Sequence, residues 1–224
     1  MIAALLPLLL PTVAGAAKVK IPKDAPYCAA TGTRPTFVSP MGEPFRAAPG
    51  QPYPAAAWFA AADRDGDGAI GEAEMVRDAA RFFATLDRNH DARLTPDEVT
   101  AYEHEVAPEI AIYASDRLAF ARRPGRRRAG ESGYGGPSGA GRYAWLNVPE
   151  PVSAADADID RVVTADEFNA AAARRFDALD GRQSGRLRLS DLPRTPQQVQ
   201  MEGPCWPRPT APLAEPGRER DQPR

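Results

Sequence analysis

Histidine, cysteine and lysine are scarce in this chain. Two histidines and two cysteines occur among 224 residues. His90 and His104 have no cysteine or serine motif around them, and no Gly-rich phosphate loop is present. The expectation is therefore a protein that is not an enzyme, with no catalytic residues to assign. Cys28 and Cys205 lie near opposite ends with no third soft ligand nearby, which excludes a thiolate zinc site. Lysine is confined to Lys18, Lys20 and Lys23, and every other strongly basic residue is arginine. A formal charge of −2 predicts neither a nucleic-acid partner nor an acidic substrate. The one long apolar run, at the N-terminus, is too short and too broken by proline for a stable membrane span, a retained anchor or a buried segment being the alternatives to export.

What is present begins with an export signal. "IAALLPLLLPTVAGAA" is apolar, broken by Pro7 and Pro11, and Ala14-Gly15-Ala16 fits a small-x-small cleavage site. No Lys or Arg precedes the run, a departure that points to a start codon upstream. Residues 1–16 are read as a signal peptide and the mature chain as periplasmic or secreted. An even cysteine count in an exported chain predicts a Cys28–Cys205 disulfide, two separate buried thiols being the alternative.

The chain also repeats itself. Shifted by 93 residues, Asp63, Asp65 and Asp67 fall on Asp156, Asp158 and Asp160, Glu74 on Glu167, and Phe83 on Phe176. Within each half a second polar loop starts 24 residues after the first. The organisation that follows is an extended segment over 17–53, a two-loop unit over 54–120, and a flexible Gly/Arg-rich insert over 121–142. A second unit covers 143–192 and a Pro-rich tail 193–224.

Each loop spans twelve residues. Loop 1 (63–74, "DRDGDGAIGEAE") offers the carboxylates of Asp63, Asp65, Asp67 and Glu74 and the carbonyl of Ala69, with Gly68 at the turn and Ile70 inward. Loop 2 (87–98) offers Asp87, Asn89, Asp91, the Arg93 carbonyl and Glu98, with Ala92 at the turn. Loop 3 (156–167) offers Asp156, Asp158, Asp160, the Val162 carbonyl and Glu167, with Arg161 at the turn. Oxygen donors at the first, third, fifth, seventh and twelfth positions suit a hard cation that takes six to eight oxygens. Loop 4 (180–191) keeps Asp180, Gly185 and Leu187, but places Arg182 and Arg188 where ligands belong and ends on the shorter Asp191. It is expected to be structural and metal-free.

This pattern resembles the EF-hand calcium-binding family, in the form of an exported bacterial-type protein with two paired-loop units. The resemblance implies Ca2+ as the bound ion and an all-α, helix-loop-helix array with short loop-loop β bridges.

Spacing then predicts how the loops meet. Met75, Ala79, Phe82, Phe83 and Leu86 form one helical stripe, and Phe168, Ala172, Phe176 and Leu179 another. A single helix leaves one loop and enters the next, so the two loops of a half sit at its opposite ends. Loop 1 should therefore pair with loop 4 through Ile70 and Leu187, and loop 2 with loop 3 through Leu94 and Val163. Further helices are expected over 54–62, over 96–105 and over 108–121, with a short one at 149–155.

Three roles are compatible with such a chain. It is a structural or buffering calcium protein, or a sensor that exposes a groove for a protein partner. Alternatively, Arg122, Arg123, Arg126, Arg127 and Arg128 make it an adaptor for anionic surfaces.

Overall fold

Two fifteen-residue helices, Glu72–Leu86 (α2) and Ala165–Leu179 (α4), form the spine of the molecule. A computed structural model describes residues 20–23, 25–111 and 136–207. The signal-peptide reading and residues 121–128 of the arginine-rich run lie outside the described residues. Each spine helix is about 22 Å long at 1.5 Å per residue. The apolar stripe of α2 is buried throughout, and Phe168, Ala172 and Phe176 are buried on α4, with Leu179 packed at the edge. The two stripes face each other: Phe83 stacks edge-on against Phe168 at 5.4 Å, and Phe82 lies 6.5 Å from the same ring. The C-terminal half of α2 thus meets the N-terminal turn of α4.

Around this spine the chain runs through β1 (Thr36–Val38), β2 (Pro44–Arg46), α1 (Ala55–Ala62), β3 (Ile70–Gly71), α2, β4 (Arg93–Leu94) and α3 (Pro96–Ala101). It continues through β5 (Val163–Thr164), α4, β6 (Arg186–Leu187) and α5 (Pro196–Glu202). β3 pairs antiparallel with β6, setting Ile70 opposite Leu187, and β4 with β5, setting Leu94 opposite Val163. Both pairings follow the register expected from the 24-residue spacing.

The all-α expectation is overturned. Three antiparallel strand pairs and five α-helices occur among the described residues, a mixed helix-and-strand architecture. The unforeseen pair is β1–β2, which lies in the segment expected to be merely extended. Thr36, Phe37 and Val38 are β-branched or aromatic and are all buried. Gly42, at φ 104°, lets the chain reverse, and a Cβ there would stand 2.6 Å from the Tyr102 hydroxyl. That hydroxyl donates to the Gly42 carbonyl at 2.8 Å. Phe37 then packs on Trp145 at 4.6 Å, and Trp145 on Trp58 at 5.5 Å. The Trp58 indole N–H donates to Asp78 at 2.8 Å, which satisfies the one polar atom of a fully buried ring.

The start of the Pro-rich tail is folded: Thr195 caps α5, with its hydroxyl accepting from the Gln198 N–H, and Pro196 opens the helix. Gln197 and Gln200 are buried, and the Gln197 side-chain amide oxygen accepts from the Thr36 N–H at 2.7 Å, closing the free edge of β1. The end of the supposed flexible insert is also packed, because Gly139, Ala140, Gly141 and Arg142 form a buried turn. A Cβ at Gly139 would lie 2.1 Å from the Pro149 carbonyl oxygen, so glycine here serves close approach rather than looseness.

The helix expected over 96–105 ends as a π-helical turn, Tyr102–Val106. Of the helix expected over 108–121, the described part is a 3-10 turn, Pro108–Ile110. The element at 149–155 is likewise a 3-10 turn, Ser153–Ala155.

Arg175 is buried on α4 and forms no ion pair among the described residues. Its guanidinium donates to the carbonyls of Pro40 (3.0 Å) and Pro151 (2.7 Å), pinning the β1–β2 turn to the spine. Burial lowers its pKa to about 10.

The two ends of the described chain are joined. Cys28 and Cys205 form a disulfide across 177 residues, and Tyr27 and Trp206 form a parallel bridge beside it. Among the described residues no helix is long and apolar enough to cross a membrane.

Candidate metal centre

The four loops share one internal wiring. The first-position aspartate accepts from the backbone N–H of the sixth residue in every loop: Asp63 from Gly68 (2.9 Å), Asp87 from Ala92 (2.9 Å), Asp156 from Arg161 (2.9 Å) and Asp180 from Gly185 (2.6 Å). The third-position side chains of Asp65, Asn89 and Asp158 accept from the N–H two residues on, and so do Asp67, Asp91 and Asp160 at the fifth position. These turns fix the short acids at alternating positions along each loop.

The twelfth-position glutamate closes each of loops 1 to 3. One oxygen of Glu74, Glu98 and Glu167 accepts from the second residue's N–H: Arg64 at 2.7 Å, Arg88 at 2.9 Å and Ala157 at 2.9 Å. The other accepts from the ninth residue's N–H, of Gly71, Thr95 and Thr164, at 2.9 Å each time. Such donors stabilise the ionised acid. The Gly71 N–H, against some burial and with help from Arg64 and Asp65, holds Glu74 below its ordinary value. Burial pushes Glu98 up, but the Thr95 N–H and hydroxyl and the Arg88 N–H together leave it lowered. The Thr164 N–H and hydroxyl bring Glu167 down to about 2. In loop 4 the shorter Asp191 forms no such clasp among the described residues; it lies 4.0 Å from Arg182.

Carboxylates converge at two places. In loop 1, oxygens of Asp63, Asp65 and Asp67 lie within 4.8 Å of one another; in loop 3, oxygens of Asp156, Asp158 and Glu167 do so. Two oxygens bound at about 2.4 Å on opposite sides of one ion would be about 4.8 Å apart, so both triads fit a single hard cation. Glu74 and Asp160 stand outside these tight groups, engaged with backbone donors. In loop 2, Asp87, Asn89, Asp91 and Glu98 hold the same turns without three carboxylates so close, the third position being the amide of Asn89, which donates to Asp91 at 3.0 Å. Ala69, Arg93 and Val162 occupy the seventh positions, and Arg93 lies in a strand while Ala69 and Val162 each precede one.

The fourth position carries a backbone demand that the acid pattern does not show. The backbone is left-handed at both the fourth and sixth positions of all four loops: Gly66 and Gly68, His90 and Ala92, Ile159 and Arg161, Gln183 and Gly185. Loop 1 meets this requirement with two glycines. Loop 3 meets it with Ile159 at φ 64° and Arg161 at φ 73°. A β-branched residue there is a steric outlier. The signal was available in the sequence as Gly66, but a single glycine does not distinguish a required turn from an incidental one.

Comparison with known protein families, with curated proteins and with solved structures finds no match.

Proposed function

We propose that this chain binds calcium through loops 63–74, 87–98 and 156–167, as an EF-hand protein would, and that the ions hold or buffer rather than catalyse. The observation that carries the reading is the pair of carboxylate triads whose oxygens lie within 4.8 Å. The donor chemistry supports calcium in particular, since all-oxygen cages of acids and carbonyls suit it better than a softer metal. The Cys28–Cys205 disulfide supports an oxidising location, periplasmic or secreted. There, ions at concentrations above Kd add RT ln(1 + [L]/Kd) to the stability of the folded state. Backbone donors that already shape each loop favour a holding role, because the loop backbone is set before an ion arrives.

Calorimetric calcium titration tests this. Three ions are expected for the wild type, with one lost in each of Glu74→Gln, Glu98→Gln and Glu167→Gln, and loop 1 tightest. Heat-silent titrations at millimolar calcium would sink the reading. A calcium-dependent rise in binding of a surface-hydrophobicity dye would move the role from holding to sensing.

A further inference from the structure

We infer that Arg186, in the metal-free partner loop, is a built-in counter-cation that sets the calcium affinity of loop 1. The inference rests on the reading of loop 1 as a cation site. It starts from register: the β3–β6 pairing sets Arg186 directly across from Gly71, the ninth residue of loop 1. Gly71 has no side chain to obstruct the crossing, and the Arg186 guanidinium forms an ion pair with Asp67, the fifth-position acid of the loop 1 triad. Both side chains are partly exposed, Arg186 by 50% and Asp67 by 38%, so the pair is accessible to an incoming ion.

The second bridge offers an internal comparison. Arg93 holds the same seventh position in loop 2 and stands across from the ninth residue of loop 3. That residue is Thr164, whose hydroxyl is engaged with Glu167. Among the described residues Arg93 forms no ion pair with the acids of loop 3. One arginine in the same register therefore reaches its neighbour's cage and the other does not, and the difference coincides with glycine against threonine at the facing position.

Two consequences follow from charge alone. While no ion is bound, Arg186 neutralises one of three crowded carboxylates and relieves their repulsion. When calcium enters, the same guanidinium is a like charge beside it and must give up Asp67. Arg186 is thus an affinity-setting residue that stabilises the empty cage and weakens the filled one. At its half-exposed position the effect on Kd is about fivefold.

The test is calcium calorimetry with thermal unfolding, on wild type, Arg186→Gln, Arg186→Lys and Arg93→Gln. Arg186→Gln should tighten the site abolished by Glu74→Gln about fivefold and leave the sites abolished by Glu98→Gln and Glu167→Gln unchanged. It should lower the Tm of the calcium-free protein and raise that of the calcium-loaded one. Arg186→Lys should retain most of the wild-type affinity, and Arg93→Gln should leave loop 3 unaltered. Unchanged affinity at loop 1, or a Tm that falls equally in both forms, would overturn the inference and leave Arg186 as a support for the bridge. If Arg186→Gln fails to fold, Arg186→Met is substituted and judged by the same two readouts. Failure of the calcium reading itself is recognised separately, as a wild type whose titration is indistinguishable from Glu74→Gln, and it takes the inference down with it.

Discussion

Ile70 and Leu187 face each other across a two-residue antiparallel bridge, both fully or almost fully buried, although they come from opposite halves of the chain. Leu187→Ala leaves a cavity at that contact and costs about 3 kcal/mol. Because Ile70 lies within loop 1, the same substitution should also weaken the calcium site proposed there. Urea unfolding and calorimetry on one variant check both. A stability loss with loop 1 binding intact would show that the bridge props the fold but not the cage.

Left-handed backbone at Ile159 and Arg161 costs loop 3 what loop 1 avoids with Gly66 and Gly68. Ile159 is also the one large hydrophobic side chain exposed among the described residues, at 83%, so it recovers little by packing. Ile159→Gly should stabilise the protein by about 1 kcal/mol, the relieved strain exceeding the added chain entropy. Gly68→Ala is the converse: nothing lies within 4 Å of the added Cβ, so a loss of about 1 kcal/mol would report backbone conformation alone. Matching Tm shifts of opposite sign are the expected result.

Reduction of Cys28–Cys205 releases a constraint across 177 residues. A Cys28→Ser, Cys205→Ser double variant should lose about 4 kcal/mol, towards the upper range for a native disulfide. Denaturant titration with and without reductant reads this directly. A loss below about 1 kcal/mol would mean that the unfolded chain gains little freedom.

Glu74, Glu98 and Glu167 are all more acidic folded than their ordinary 4.5. The unfolded chain therefore takes up protons at these groups first, so their contribution is complete above 4.5 and is lost as pH falls towards about 2, the value of Glu167. Glu150, pushed up by burial, acts in the opposite sense as it ionises. Calcium-free protein should lose Tm progressively on acidification below 4.5, and Glu167→Gln should flatten that slope. An unchanged slope in Glu167→Gln would remove the clasp from the account.

Much of this arrangement was legible in the sequence because it follows from spacing. The 24-residue interval and the 3.6-residue apolar stripes are enough to send Ile70 to Leu187 and Leu94 to Val163. What escaped depends on contacts between distant segments. Thr36–Val38 is too short, and too surrounded by proline, to show a strand period, and it exists because Gln197 and Trp145 complete it. The Thr195-Pro196 start of α5 carries ordinary capping signals that a Pro-rich composition obscures. Gly139 reads as looseness in a Gly-rich run, yet it is required by the Pro149 backbone beside it. In the candidate metal centre, acid spacing identifies the loops but not which oxygens converge: Glu167 joins its triad and Glu74 does not, although both accept from the same pair of backbone positions.

The crossed bridges also dictate the order in which the molecule is completed. Neither loop 1 nor loop 2 finds its strand partner within its own half, and the disulfide joins positions near both ends. A nascent chain that has emerged as far as residue 111 has α1 and Tyr102 against α2, but lacks α4 and both strand partners of its loops. Its bridges must wait until Leu187 has been synthesised, so an N-terminal fragment inherits the acids of loops 1 and 2 without the strands that complete them.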